Sequence, residues 1–214
     1  MKGDVLIISD DHRKAARHAY NLLKNKLSGS GKKNSITVAG ESGAGKSEIA
    51  ATLAEEMEKD GFRTYIFQQD DYFVFPPKTN AAERRKDIKH VGTGEVKLGL
   101  LDEHLSKARD GKEKIEKPLV IFDEDKITSE TIDPAEYDVF LAEGTYTTLL
   151  DHADFRVFID RDIFDTRASR LKRNREKQDD FLEQILEIEH NIISNHKELA
   201  DIIITKDYEA INNE

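Results

Sequence analysis

The chain has 214 residues, no cysteine and a formal net charge of -10. That length fits one sizeable core with an appendage rather than two full domains. The lack of thiols excludes a disulfide framework and a thiolate metal site, and the acidic field disfavours nucleic acid as a partner. No apolar run is long enough to span a membrane, and "MKGDVLIISDDHRK" has too short an apolar patch for a signal peptide, so the expected setting is cytoplasmic.

In chain order, a short strand over residues 5–8 and a helix over 12–27 precede "SGSGKKNS", a hinge by composition. The expected organisation is an N-terminal strand-helix extension over 1–33 and a main domain over 34–214. In the main domain, strand-like runs at 36–39, 64–67, 119–122, 139–142, 156–159 and 202–205 alternate with helical segments at 46–59, 98–108, 163–176 and 181–199. This is the pattern of an α/β fold with a mostly parallel sheet. The segment "PPKTNAAERRKDIKHVGTGE" has little periodicity and reads as an irregular binding loop.

The first strand runs into "GESGAGKS", Gly40, Glu41, Ser42, Gly43, Ala44, Gly45, Lys46 and Ser47, with an amphipathic helix behind it. Strand, glycine-rich turn and helix form the context of a phosphate-binding P-loop. Glycines let backbone N–H groups converge on phosphate oxygens, and the following helix aims its positive end at the same place. Lys46 adds a mobile charge for the outer phosphates, and the Ser47 hydroxyl suits the shell of a Mg²⁺ ion. Ile49, Leu53 and Met57 recur every four residues and face the sheet. The fold expected is therefore a P-loop NTPase-type three-layer sandwich.

Three further stretches bear on what the bound nucleotide does. "YIFQQDDYF" ends a strand in Asp70 and Asp71, and "YDVFLAEG" ends another in Glu143, both where ligands of open α/β sheets bind. One carboxylate to take a hydroxyl proton and another near a metal are what phosphoryl transfer needs. "DRDIFDTRASRLKRNREKQ" places Arg167 and Arg170 on one helical face, an Arg-rich lid over a triphosphate or a solvated face of ion pairs. The guanine-reading Asn-Lys-x-Asp string is missing, which weakens a GTPase reading.

Taken together, "GESGAGKS", "QQDDYF", "LAEGTY", "DTRASR" and "HKELADIIITKDY" resemble, in order, the motifs of the phosphoribulokinase and uridine kinase family. The resemblance runs from Ser35 to about Tyr208 and leaves the first thirty or so residues unmatched. It implies an ATP- and Mg²⁺-dependent kinase acting on a hydroxyl of a small metabolite. Asp70 would be the base, Ser47 and Glu143 would contact the metal with Asp70 beside them, and Arg167 and Arg170 would be lid arginines. Asp71 stands where the family often has Ser. Where uridine kinases carry Pro-x-Tyr-Asp-Phe-x-x-His-x-Arg, this chain has "PLVIFDEDKI", which keeps Pro118 and Phe122 but loses the groups that read a pyrimidine nucleoside. The acceptor side is expected to draw on Asp71, Tyr72, Arg84, Arg85, His90 and Phe122, with an anionic or polyhydroxylated acceptor. The alternative is a nucleotide-binding regulatory protein without small-molecule kinase activity. Assembly as a homo-oligomer stays open.

Overall fold

The structure is a computed structural model that describes residues 1–3, 5–27, 33–173 and 179–213. Its elements in chain order are α1 (Asp10–Leu23), β1 (Asn34–Gly40), α2 (Lys46–Lys59), β2 (Thr64–Gln68), α3 (Pro77–Lys86), α4 (Leu98–Asp110), β3 (Ile115–Ile121) and β4 (Lys126–Ile132). They continue with β5 (Val139–Glu143), β6 (Phe155–Ile159), α5 (Arg167–Arg173), α6 (Asp180–Ile193), β7 (Ile202–Ile204) and β8 (Ala210–Asn212).

Six strands form one sheet in the order β2-β5-β1-β6-β7-β8, parallel throughout except for β8, which runs against β7. Successive side chains of a strand point to opposite faces, and here both faces are apolar. Val139 and Leu141 of β5 join one core and Phe140 and Ala142 the other, and Ile202 and Ile204 of β7 divide from Ile203 in the same way. The first core is completed by Ile49, Leu53 and Met57 of α2 and by Ala15, Ala19 and Leu23 of α1. The second takes Leu101 and Leu105 of α4 and Ile193 of α6. Helices on both faces make the expected three-layer α/β sandwich. Helix α1, which the sequence assigns to an extension, buries its small-residue face in the same core as α2.

Several elements depart from the sequence reading. Residues 5–8 form no strand and pair with none of the described strands, and Val5 stays 75% exposed. The run at 119–122 belongs to β3, paired antiparallel with β4 in a separate hairpin rather than in the parallel sheet. Part of the segment expected to be irregular is helix α3. It starts on a proline, whose fixed φ suits a first turn, and its second half is made of good helix formers, Ala81 to Lys86. It lacks an apolar stripe because the residues it buries are Asn80 and Arg84. The lid helix begins at Arg167 rather than 163, and the segment after α6 tightens into a 3₁₀ helix over Ser194–Leu199. Residues 28–32 of the expected hinge at 28–35, and 174–178 at the end of the lid, lie outside the described residues, while the hinge's last two residues open β1.

Candidate active site

Sheet order decides what meets at the carboxyl edge. Strand β5 lies between β2 and β1, with Val38 and Gln68 both in register with Glu143. The phosphate-loop side and the Asp70 side therefore flank Glu143. A cleft of about 310 Å³ opens there, lined by Ser42, Gly43, Lys46, Ser47, Asp70 and Glu143 at one end. Phe122, Asn80, Arg84 and Glu189 line its other end, with Arg170 also on its wall.

The loop at Gly40–Ser47 needs its glycines. Gly43 and Gly45 have φ of 79° and 97°, the left-handed region that side chains with a Cβ avoid. Space is equally short, because a Cβ on Gly43 would lie 2.8 Å from Cγ of Arg170 and one on Gly45 2.8 Å from Nε2 of His12. Lys46 Nζ donates to the Glu41 carbonyl at 2.9 Å, so its ammonium lies folded over the loop. Ala44 is fully buried in the first core. The Glu41 carboxylate turns to His190 of α6, with Oε1 2.6 Å from Nδ1. Burial raises the pKa of the Glu41 carboxyl, and His190 works against that rise.

Ser47 Oγ donates to Glu143 Oε1 at 3.1 Å. Burial raises the Glu143 carboxyl pKa to about 7, helped by the charge of Asp70 and opposed by Lys46 and Ser47. Two carboxylates forced together beside a lysine and a hydroxyl form a site that a cation would relieve. The donors are all oxygen, which suits a hard ion that keeps waters and shares substrate phosphates. Ser47 and Glu143, with Asp70 adjacent, therefore fit the expected metal. Among the described residues no three carboxylates, histidines or cysteines cluster as a dedicated metal cage, and an ion bound mainly through phosphates needs none.

Of the two arginines expected in a lid, Arg170 lines the cleft, and Arg167 is exposed and is not among the residues lining it. Arg170 donates to the Ile163 carbonyl at 2.8 Å and to the Thr166 hydroxyl, which pins it above Gly43.

The acceptor-side residues named from the sequence scatter. Asp71 is 2% exposed and serves the fold: Oδ1 accepts from the Val120 N–H at 2.9 Å, and Oδ2 pairs with the buried Lys117 ammonium at 3.0 Å. Tyr72 is fully buried, with its hydroxyl 3.0 Å from Nδ1 of His104. Both corrections follow from the short 3₁₀ turn at Gln69–Tyr72, which sends alternate side chains of the acidic pair to opposite sides. Arg85 points outward to Asp179 and stacks on Phe181 at 4.7 Å. His90 contacts Asn80 Oδ1 at 3.1 Å behind the cleft wall. Phe122 and Arg84 do line the cleft. Arg84 donates to Glu95 through Nε at 2.8 Å and Nη2 at 2.6 Å, and to Glu189 at 3.1 Å. Asn80 and Glu189 are additions that no sequence motif marks.

The family model for Phosphoribulokinase / Uridine kinase matches residues 35–206. The chain belongs to this family. It is 27% identical over 186 residues to the bifunctional alpha-galactosidase/sucrose kinase AgaSK of Mediterraneibacter gnavus, covering 80% of this chain and 20% of that one. A uridine kinase of Lactobacillus johnsonii is 26% identical over 181 residues, 79% of this chain and 84% of that one. The phosphoribulokinase of Rhodobacter spheroides has a similar fold, with a TM-score of 0.62 at 16% identity over 81% of this chain and 70% of that one. The chain thus spans a fifth of the first relative's length and most of the second's. As a member of the phosphoribulokinase/uridine kinase family, it is a kinase whose acceptor is a hydroxyl group of a small metabolite.

Proposed function

We propose that this kinase binds ATP·Mg²⁺ along the phosphate loop and passes the γ-phosphoryl group to an acceptor hydroxyl held at Asp70. The observation that carries the reading is the meeting of Lys46, Ser47, Glu143 and Asp70 in one cleft, delivered by the ends of three adjacent strands. The glycine-rich backbone and Lys46 hold the outer phosphates, and Ser47 and Glu143 hold the ion, with Asp70 beside them. The ion supplies charge neutralisation at the transferred group. Asp70 takes the acceptor's hydroxyl proton as the new O–P bond forms and the bond from the γ-phosphorus to the bridging oxygen breaks, releasing ADP. Arg170 closes over the group in flight. Arg167 has no place in the cleft as it stands and would enter only if the lid swung.

Pyrimidine nucleosides are poor acceptors on this reading. Asp125, at the position of a base-reading residue in uridine kinases, caps α3 instead, accepting from the backbone of Lys78 at 2.6 Å and from the Thr79 hydroxyl at 2.7 Å. The setting we favour is the cytoplasm: among the described residues no helix is long and apolar enough to cross a membrane, and the acidic chain suits small-molecule partners rather than nucleic acid.

The test is acceptor-dependent ADP release by the wild type beside Lys46→Ala, with nucleosides, sugars, polyols and hydroxy acids as acceptors. Turnover with at least one acceptor, lost in Lys46→Ala, is expected. Equal turnover in both proteins would remove the phosphate-loop assignment, and no acceptor-dependent release would return the chain to nucleotide binding alone.

A further inference from the structure

The phosphate loop holds a carboxylate where it is built to hold anions. Glu41 is the second residue of Gly40–Ser47 and is 5% exposed. Its main chain belongs to the frame of the loop: the Glu41 carbonyl accepts from the Ala44 N–H at 3.1 Å and from the Lys46 ammonium at 2.9 Å. Its carboxylate lies within the influence of that same ammonium and of Asp162, just beyond β6. A negative charge buried in a loop that receives phosphates opposes their binding unless another group offsets it.

That group comes from a distant part of the chain. Glu41 Oε1 meets Nδ1 of His190 at 2.6 Å across 149 residues. Among the described residues Oε2 is buried with no hydrogen-bond partner, so the carboxylate rests on His190. Burial and the charge of Asp162 disfavour the ionised form of Glu41, and His190 and Lys46 favour it. Asp162 is itself engaged, accepting from the N–H groups of Phe164 at 2.9 Å and Asp165 at 3.0 Å and pairing with Lys206 at 3.2 Å. Lys46 is the ammonium that outer phosphates claim on the reading above, and its charge is then shared with them. His190 is half-buried near the end of α6 and is not among the residues lining the cleft, so its contact with Glu41 is compatible with a filled nucleotide site.

We propose that His190 is a positioning residue for the nucleotide, acting through Glu41: it holds the carboxylate and opposes its charge, which lets an acidic residue stand in the loop without weakening the grip on phosphate. The inference rests on the nucleotide-binding part of the reading above and adds to it a residue outside the loop's motif. It gives α6 a part at both ends of the cleft, because Glu189, the residue before His190, lines the acceptor end.

Equilibrium binding of ATP·Mg²⁺ to the full chain tests it as a cycle of four proteins: the wild type, His190→Ala, Glu41→Gln and the double variant. In the wild-type background His190→Ala should weaken binding about tenfold, on the order of the effect of one unit charge near a phosphate in a partly screened site. In the Glu41→Gln background the same change should cost less than about twofold, since a neutral side chain needs no counter-charge. An amide at that position still accepts a hydrogen bond from His190, so a loss that came from packing alone would persist there. Should His190→Ala fail to fold, His190→Gln takes its place in the cycle, keeping bulk without the charge. Unchanged affinity in the His190 variant, or an equal loss in both backgrounds, overturns the inference and leaves the kinase reading standing. If the wild type itself binds no ATP·Mg²⁺, the reading of the loop fails and takes the inference with it.

Discussion

The two ends of the cleft are built in opposite ways. The nucleotide end is one contiguous stretch, Gly40–Ser47, whose conformation follows from its own glycines and whose anion affinity follows from a helix start and one lysine. The acceptor end takes Asn80 and Arg84 from α3, Phe122 from just beyond β3 and Glu189 from α6, which have no motif in common. A contiguous site is fixed by local backbone geometry. A site assembled from distant elements is free to change its substrate by single substitutions while the phosphate machinery stays put.

The largest expected effect lies at the junction of the two ends. Glu143→Gln keeps the size of the side chain and its contact with Ser47 but removes the charge proposed to hold the metal. Transfer should fall by at least about 10²-fold; a variant of wild-type rate would detach Glu143 from the chemistry. The lid comes next. Arg170→Ala should slow transfer by about 10²-fold, and Arg167→Ala by less than about tenfold. Equal losses would mean that the lid closes far enough to bring both arginines in, and single-turnover rates separate the two cases.

The acidic pair offers a contrast between function and fold. Asp71→Asn strands the buried Lys117, whose second partner, Glu130, is at 2.7 Å and more exposed. The variant should lose about 3 kcal/mol of stability, read as a lower denaturation midpoint at unchanged slope, while the folded fraction keeps its kcat. A loss of kcat without a loss of stability would reverse the assignments of Asp70 and Asp71.

The smallest effect concerns pH. In protein free of metal and nucleotide, Glu143 binds its proton more tightly when folded than when unfolded, because its carboxyl pKa rises from 4.5 to about 7. Its contribution to stability is therefore full below the ordinary carboxyl range and is lost as pH rises through about 7. Glu143→Gln should flatten that part of the stability profile, and an identical profile in the variant would contradict the raised pKa.

The same contrast explains which parts of the molecule were legible in the sequence. The parallel sheet, the phosphate loop and the strand-end positions of Asp70 and Glu143 follow from apolar runs ending in glycine or acid. Helix α3 escapes because its buried residues are polar and leave no stripe to read. The run "KITSETI" of β4 carries the alternation of a strand, but a search for apolar runs passes over it. For Arg84 the composition is misleading: a basic cluster in the sequence reads as an anion site, and only the fold reveals that Glu95 and Glu189 already neutralise it. Glu189 lies 105 residues from Arg84, beyond the reach of any local pattern.

In the proposed mechanism Asp70 takes the acceptor proton in a cleft whose nucleotide site is complete without it. The most direct measurement compares Asp70→Asn with the wild type for single-turnover γ-phosphoryl transfer and for equilibrium binding of ATP·Mg²⁺. Transfer in Asp70→Asn should be slower by about 10² to 10⁴-fold with nucleotide affinity little changed. Transfer at the wild-type rate, or a loss of affinity as large as the loss of rate, would contradict it.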